Sequence, residues 1–199
     1  MSKAMQILTP EECHKLIAWI AIGRKRYLDT KTNTRDLLIT LLMLDAGLRV
    51  GEVVQLKVHD LFFGDHPVQT LIVRSAIAKR GVERSIPMSE RLQIAIQSMY
   101  HQHYFWRTAK CTDYAFCRKQ FDKHLSIRCV QLMMSSAGWL SIGRKIHPHI
   151  LRHTFATRLM QKTNIRVVQQ LLGHASLSST QIYTHPNSTD LNDAIKAIS

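Results

Sequence analysis

Apolar positions recur along this chain at two different periods, and the changes between them mark its organisation. Thr9-Pro10-Glu11-Glu12 is a helix start. Thr9 serves as N-cap, Pro10 sits in the first turn, and Glu12 lies three residues after Thr9, where it completes a capping box. Leu16, Ile17 and Ile20 then form an apolar stripe at helical spacing. A second helix is expected from about Thr34 to Asp45, ending at Gly47, whose missing Cβ suits a helix C-cap. A short helix near Val50 to Leu56 follows. The pattern then shortens to β-type runs: a first strand near Val58 to Phe63, then Leu71-Ile72-Val73 and Val82 to Ile86. The last two flank Lys79-Arg80-Gly81, a hairpin with a basic tip. From Ser89 onward helices return, over about Ser89 to Trp106, Ser126 to Ala137, Pro148 to Gln161, Ile165 to Leu172 and Ser178 to Tyr183. Leu191, Ala194, Ile195 and Ile198 make a small amphipathic helix of the tail, residues 190–198. The expected fold class is α+β: a mainly helical domain with a small antiparallel three-stranded sheet on one side. No Gly/Ser linker, repeat or low-complexity tract interrupts it, so residues 1–199 read as a single domain.

Composition narrows the class. Of 199 residues 45% are hydrophobic and 21% charged, which excludes wholesale disorder and allows a sizeable core. The longest apolar stretch, Leu37 to Leu44, is broken by Thr40 and falls far short of the roughly 20 residues that span a bilayer. Met1 to Gln6 lacks the apolar segment of a signal peptide, so a cytoplasmic setting without membrane attachment is expected. Cys13, Cys111, Cys117 and Cys129 form no C-x-x-C pair. Reduced, packed thiols are expected; a zinc site drawn from Cys111, Cys117, His124 and Cys129 matches no compact ligand spacing.

Charge is the informative quantity. Lys and Arg number 27 against 14 Asp and Glu, a net charge of +13, with 11 His besides. Such a surplus attracts polyanions, and nucleic acid is the commonest one.

Three segments carry candidate chemistry: Gly47-Leu48-Arg49-Val50-Gly51-Glu52, then His147-Pro148-His149-Ile150-Leu151-Arg152-His153, then Leu172-Gly173-His174 with Thr180-Gln181-Ile182-Tyr183-Thr184-His185. Together with Lys79 they resemble the signature of the tyrosine recombinases, or phage-integrase family, and in particular its Xer-like members. Arg49 matches that family's first arginine, Lys79 its hairpin lysine, and His149 and Arg152 its H-x-x-R pair. His174 matches its second histidine and Tyr183 its nucleophile. The resemblance runs from about Leu8 to His185. Any single piece is weak, but all of them in this order, with nine residues from His174 to Tyr183, are specific.

These residue types suit phosphoryl transfer on independent grounds. A phosphodiester under attack by an oxygen nucleophile spreads negative charge over its non-bridging oxygens. Arginine offers a planar, permanently charged fork that grips such oxygens bidentately, and Arg49 and Arg152 are placed to close on one phosphate. A phenol with a pKa of about 10 is about one part in a thousand ionised near neutrality. A shell of Arg49, Arg152 and protonated histidines would lower that barrier for Tyr183. His149, three residues before Arg152, would share a helix face with it, and the resemblance implies that it takes the phenolic proton. The resemblance implies that His174 bonds a phosphate oxygen and that Lys79 protonates the departing 5′-oxygen. It implies no metal and no cofactor, because guanidinium and imidazolium groups supply the positive charge. Glu52 reads as a carboxylate orienting a buried cation.

The implied function is site-specific DNA recombination through a 3′-phosphotyrosyl intermediate, without ATP. Implied partners are double-stranded DNA, further copies of the chain in a synaptic tetramer, and accessory proteins. Many family members carry an N-terminal DNA-clamping domain; here the first matching helix begins at Pro10, so a catalytic domain without that clamp is expected, resembling small single-domain invertases. The 190–198 helix either docks on its own domain or is exchanged between protomers. The stretch from Tyr104 to His124 resembles nothing assignable. Three rivals stand beside this reading: a type IB topoisomerase-like activity, a catalytically degenerate DNA-binding regulator, and a metal-dependent nuclease, whose usual carboxylate cluster is missing.

Overall fold

A computed structural model describes residues 7–22, 30–79, 81–104, 109–117 and 123–173. The first helix, α1 (Pro10–Ile22), begins as its sequence dictates. The Thr9 N–H donates to Glu12 Oε2 at 2.9 Å, and the Glu12 N–H donates back to Thr9 Oγ1 at 3.1 Å. Cys13, Leu16 and Ile20 face the core. Glu12 also accepts from Arg144 Nε and Nη2 at 2.8 and 2.9 Å, which ties the start of the fold to the loop ahead of its seventh helix.

The second helix, α2 (Thr30–Leu44), is the central element. Residues 38–44 are buried without interruption, including Thr40, whose hydroxyl donates to the Asp36 carbonyl at 2.7 Å. A helix buried on every side carries no amphipathic stripe, and α2 is surrounded by α1, by α5 (Glu90–Met99) and by α7 (Pro148–Met160). Its chain turns at Gly47, where φ is +64°. α3 (Val50–Val54) and α4 (Val58–Leu61) follow directly.

Among the described residues, two separate antiparallel pairs stand where a three-stranded sheet is expected. β1 (Phe62–Phe63) pairs with β2 (His66–Pro67), and β3 (Thr70–Val73) pairs with β4 (Arg84–Pro87), with Val73 opposite Arg84. The segment from Val58 to Phe63, expected to supply a third strand, is helical over its first four residues. The Asp60 carboxylate takes the Lys57 N–H at 2.7 Å and closes that turn. The neighbouring backbone groups are taken from elsewhere: Val58 N–H bonds the Asp113 carbonyl at 2.9 Å, and Ala115 N–H bonds the Leu56 carbonyl at 2.8 Å. Part of the stretch between Tyr104 and His124 therefore acts as an edge partner for residues 56–59.

Other boundaries shift for local reasons. The helix expected to reach Trp106 ends regularly at Met99 and widens into a π-helical turn over Tyr100–Tyr104, where the buried Tyr104 hydroxyl donates to the Ala115 carbonyl at 2.7 Å. The helix expected over Ser126 to Ala137 runs on as α6 (Ile127–Ile142), capped by Ser126. Gly138 lets the residues after α6 lie close against it, since a Cβ there would stand 2.6 Å from Ile146. α7 carries Pro148 in its first turn, and α8 (Ile165–Leu172) is capped by the Asn164 side chain, which accepts from Val167 N–H at 3.1 Å. The helices expected over Ser178 to Tyr183 and 190–198 lie outside the described residues. One apolar core centred on α2 holds most buried side chains; a smaller cluster of Ala156, Val168 and Leu172 joins α7 to α8.

Two glycines test this packing. Gly47 and Gly64 share a left-handed backbone, with φ of +64° and +63°, but a Cβ on Gly47 would stand 2.4 Å from Phe155 whereas one on Gly64 meets nothing within 4 Å. Gly47→Ala is expected to cost about 2–4 kcal/mol, from backbone strain and overpacking together. Gly64→Ala should cost about 1–2 kcal/mol, from strain alone. Urea denaturation of both variants checks the difference.

Candidate active site

Arg49 occupies the N-cap position of α3, where φ and ψ are extended. Its backbone N–H donates to Glu52 Oε2 at 2.8 Å, and its Nη1 donates to Glu52 Oε1 at 3.1 Å. The helical turn thus places a carboxylate directly under the arginine it must orient. Glu52 is almost wholly buried, and a second arginine, Arg84 of β4, meets it with both ends of its fork: Nη1 to Oε1 at 3.1 Å and Nη2 to Oε2 at 2.7 Å. Burial pushes the Glu52 carboxyl up. The Arg84 hydrogen bonds and charge, the Arg49 N–H and the charge of Arg152 outweigh it, so Glu52 titrates below its ordinary value and is ionised.

α7 supplies the H-x-x-R pair. Arg152 is buried and donates from Nη1 to the Gly47 carbonyl and from Nη2 to the Leu172 carbonyl at 2.8 Å. Those two acceptors lie at the turn after α2 and the end of α8, so the guanidinium joins three elements. One turn earlier on α7, His149 lies at the surface between His147 and His153, with ring centroids 6.2 and 6.5 Å away.

Lys79 lies on the connection between β3 and β4. The Gly81 N–H bonds the Ala78 carbonyl at 2.9 Å, forming a turn with Lys79 at its second position. The base of this connection is anchored by Arg74, which donates from Nε and Nη2 to the two Asp60 oxygens, both at 2.8 Å. Ile77 and Ala78 pack against the core, so the loop does not hang free.

The charges meet at His149. Desolvation of the ring lowers its pKa most, and His147, Arg152, Lys79 and Arg49 all push it the same way. Three separate stretches of the chain, bearing Arg49, Lys79 and the His149–Arg152 pair, are therefore near enough to share one electrostatic environment, and Glu52 lies within the field of Arg49 and Arg152. His153 is lowered too, by desolvation first and then by His149, Arg152 and His147. Both imidazoles are therefore held toward the neutral form, the form that the expected part of His149 as proton acceptor requires. His174 and Tyr183 lie outside the described residues.

The sequence pattern of the Phage integrase family matches residues 6–190. The chain belongs to the phage integrase family. Tyrosine recombinase XerA of Pyrococcus furiosus is 37% identical over 192 residues, covering 95% of this chain and 60% of that protein. XerA of Pyrococcus horikoshii is 37% identical over 175 residues, covering 86% of this chain and 58% of that protein. The crystal structure of the XerH site-specific recombinase bound to difH substrate, a pre-cleavage complex, superposes with a TM-score of 0.78 at 25% identity, covering 98% of this chain and 55% of that one. This phage integrase chain thus spans about three fifths of the length of the two XerA proteins.

Sequence reasoning missed Arg84. A signal was present: Arg84 and Ile86 alternate with Ser85, and Ile86 is an inward-facing core position. An arginine on the inner face of a strand needs a buried carboxylate partner, and Glu52 was already in view.

The lowered histidines fix a pH dependence. A folded-state pKa below the unfolded value of about 6.5 means that the unfolded chain binds protons more readily. The corresponding stability is complete above that pH and is lost as pH falls through the lower folded value. Denaturation midpoints are expected to fall from pH 7.5 to pH 5, and His149→Gln should flatten that fall without abolishing it, because His153 remains.

Proposed function

We propose that this chain carries the strand-cleavage and strand-transfer centre of a tyrosine-class site-specific DNA recombinase acting on double-stranded DNA. The observation that supports this reading most is that Arg49 and Arg84 meet on one buried carboxylate within the field of Arg152, with His149 in the field of Arg49, Arg152 and Lys79. Fixed cations around a single point suit a phosphorus centre whose non-bridging oxygens gain charge during attack. Kinship with the two XerA proteins and likeness to a DNA-bound XerH support the same conclusion.

In this mechanism Arg49 and Arg152 hold the non-bridging oxygens of the scissile phosphate. The phenolic oxygen of Tyr183 attacks phosphorus, its proton passes to His149, and the bond from phosphorus to the 5′-oxygen breaks. Lys79 gives a proton to that oxygen, leaving a free 5′-hydroxyl and a 3′-phosphotyrosyl link. His174 bonds a phosphate oxygen. A neutral imidazole is the form that accepts a proton, so the lowered pKa of His149 fits its part. The new ester keeps the energy of the old one, so a 5′-hydroxyl from a second duplex reverses the step without ATP. Two duplexes imply several copies of the chain, and we take the synaptic unit to be a tetramer, with residues 190–198 the segment to exchange between protomers.

A duplex nicked beside the scissile phosphate tests the chemistry. The expected product is a protein–DNA adduct that survives SDS, maps to Tyr183 and forms equally well in EDTA. Tyr183→Phe should abolish it, and Arg49→Lys should slow it about 100-fold or more, the usual effect of losing one oxyanion donor. Binding without an adduct would instead indicate a DNA-binding regulator. Relaxation of a supercoiled plasmid without target sites would indicate a topoisomerase.

A further inference from the structure

Arg84 carries no part of the chemistry proposed above, yet it is among the most constrained side chains of the fold. It begins β4 opposite Val73, next to the loop that bears Lys79. Its side chain is 3% exposed. Two of its nitrogens hold the Glu52 oxygens at 3.1 and 2.7 Å, and its Nε donates to the Leu171 carbonyl at 2.9 Å. Gly173 leaves room for its stem, since a Cβ there would stand 3.0 Å from Arg84 Cδ.

We infer that Arg84 is a positioning residue for strand cleavage, which fixes the Glu52 carboxylate so that Glu52 can hold the Arg49 guanidinium, and which clamps the end of α8 from which His174 follows. The inference rests on the recombinase reading. Its physical content lies in the sharing of one carboxylate. Each Glu52 oxygen accepts from both arginines: Oε1 from Arg49 Nη1 and Arg84 Nη1, Oε2 from the Arg49 N–H and Arg84 Nη2. Held from two directions, the carboxylate cannot turn, and Arg49, whose side chain is 20% exposed, is held from below while it faces outward. A buried ion pair of this kind contributes little net stability against an apolar replacement, whereas its geometry is demanding. Lysine at position 84 keeps the charge but lacks the fork, so it cannot hold both oxygens and the Leu171 carbonyl together.

The test is a double-mutant cycle with Arg84→Lys and Glu52→Gln in the full chain. Single-turnover cleavage of the nicked duplex is measured beside DNA affinity and the thermal midpoint. Arg84→Lys should slow cleavage at least tenfold while DNA affinity stays within twofold. The double variant should be no slower than Glu52→Gln alone, because both residues act through one contact. Wild-type cleavage by Arg84→Lys, or penalties that multiply in the double variant, would overturn the inference. A loss of cleavage that only follows the folded fraction would overturn it too. Should Arg84→Lys fail to fold, Glu52→Gln serves alone: slowed cleavage at unchanged affinity supports the inference, and unchanged cleavage overturns it. A wild-type chain that forms no adduct overturns the recombinase reading and this inference with it, whereas an active wild type beside a fully active Arg84→Lys overturns the inference only.

Discussion

A single buried anion organises this molecule. Glu52 brings a negative charge into a region where three arginines must otherwise stand together, bonded to Arg49 and Arg84 and within the field of Arg152. Like charges held close in a low-dielectric setting repel strongly, so a cationic site in the free protein needs a permanent counter-charge. Glu52 supplies one unit of it. The remaining excess is what the proposed recombinase reading matches to a phosphate diester.

Backbone carbonyls supply the other half of that restraint. The two buried arginines spend donors on successive carbonyls at the end of α8: Arg84 on Leu171 and Arg152 on Leu172. The last carbonyls of a helix lack intrahelical partners and carry the negative end of its dipole. They are therefore natural seats for a guanidinium, and the arrangement satisfies the helix end and fixes the arginines at once. Arg152 also reaches the Gly47 carbonyl beyond α2, so the turn that follows the central helix belongs to the site as much as to the core.

This frame bears on the division of labour in the site. Burial of the ring first, and then the charges of His147, Arg152, Lys79 and Arg49, hold His149 toward its neutral form. Under the proposed recombinase reading, the negative charge of a bound phosphate diester acts on His149 in the opposite sense. In that reading, proton acceptance and phosphate binding are coupled through electrostatics.

Much of this was written locally. The Thr9–Glu12 capping box, the proline that opens α7 and the start of α8 all depend on neighbours within four residues, and each of these three appears at its expected place. The resemblance to the family was legible because it rests on the order of the motif pieces and on the nine residues from His174 to Tyr183, which are read from the sequence alone. Strand pairing did not follow. Val58 to Phe63 has the composition of a strand, but the Asp60 carboxylate closes a helical turn there, and a distant segment, residues 111–115, takes the backbone groups a sheet would have used. Nor did the sequence single out Arg84, since the value of a buried arginine lies wholly in its partners, and those come from α3 and α8. Short-range hydrogen bonds are encoded by adjacent residues. Which carboxylate meets which guanidinium across 32 residues of chain is decided only when the core closes around α2 and excludes water from the pair.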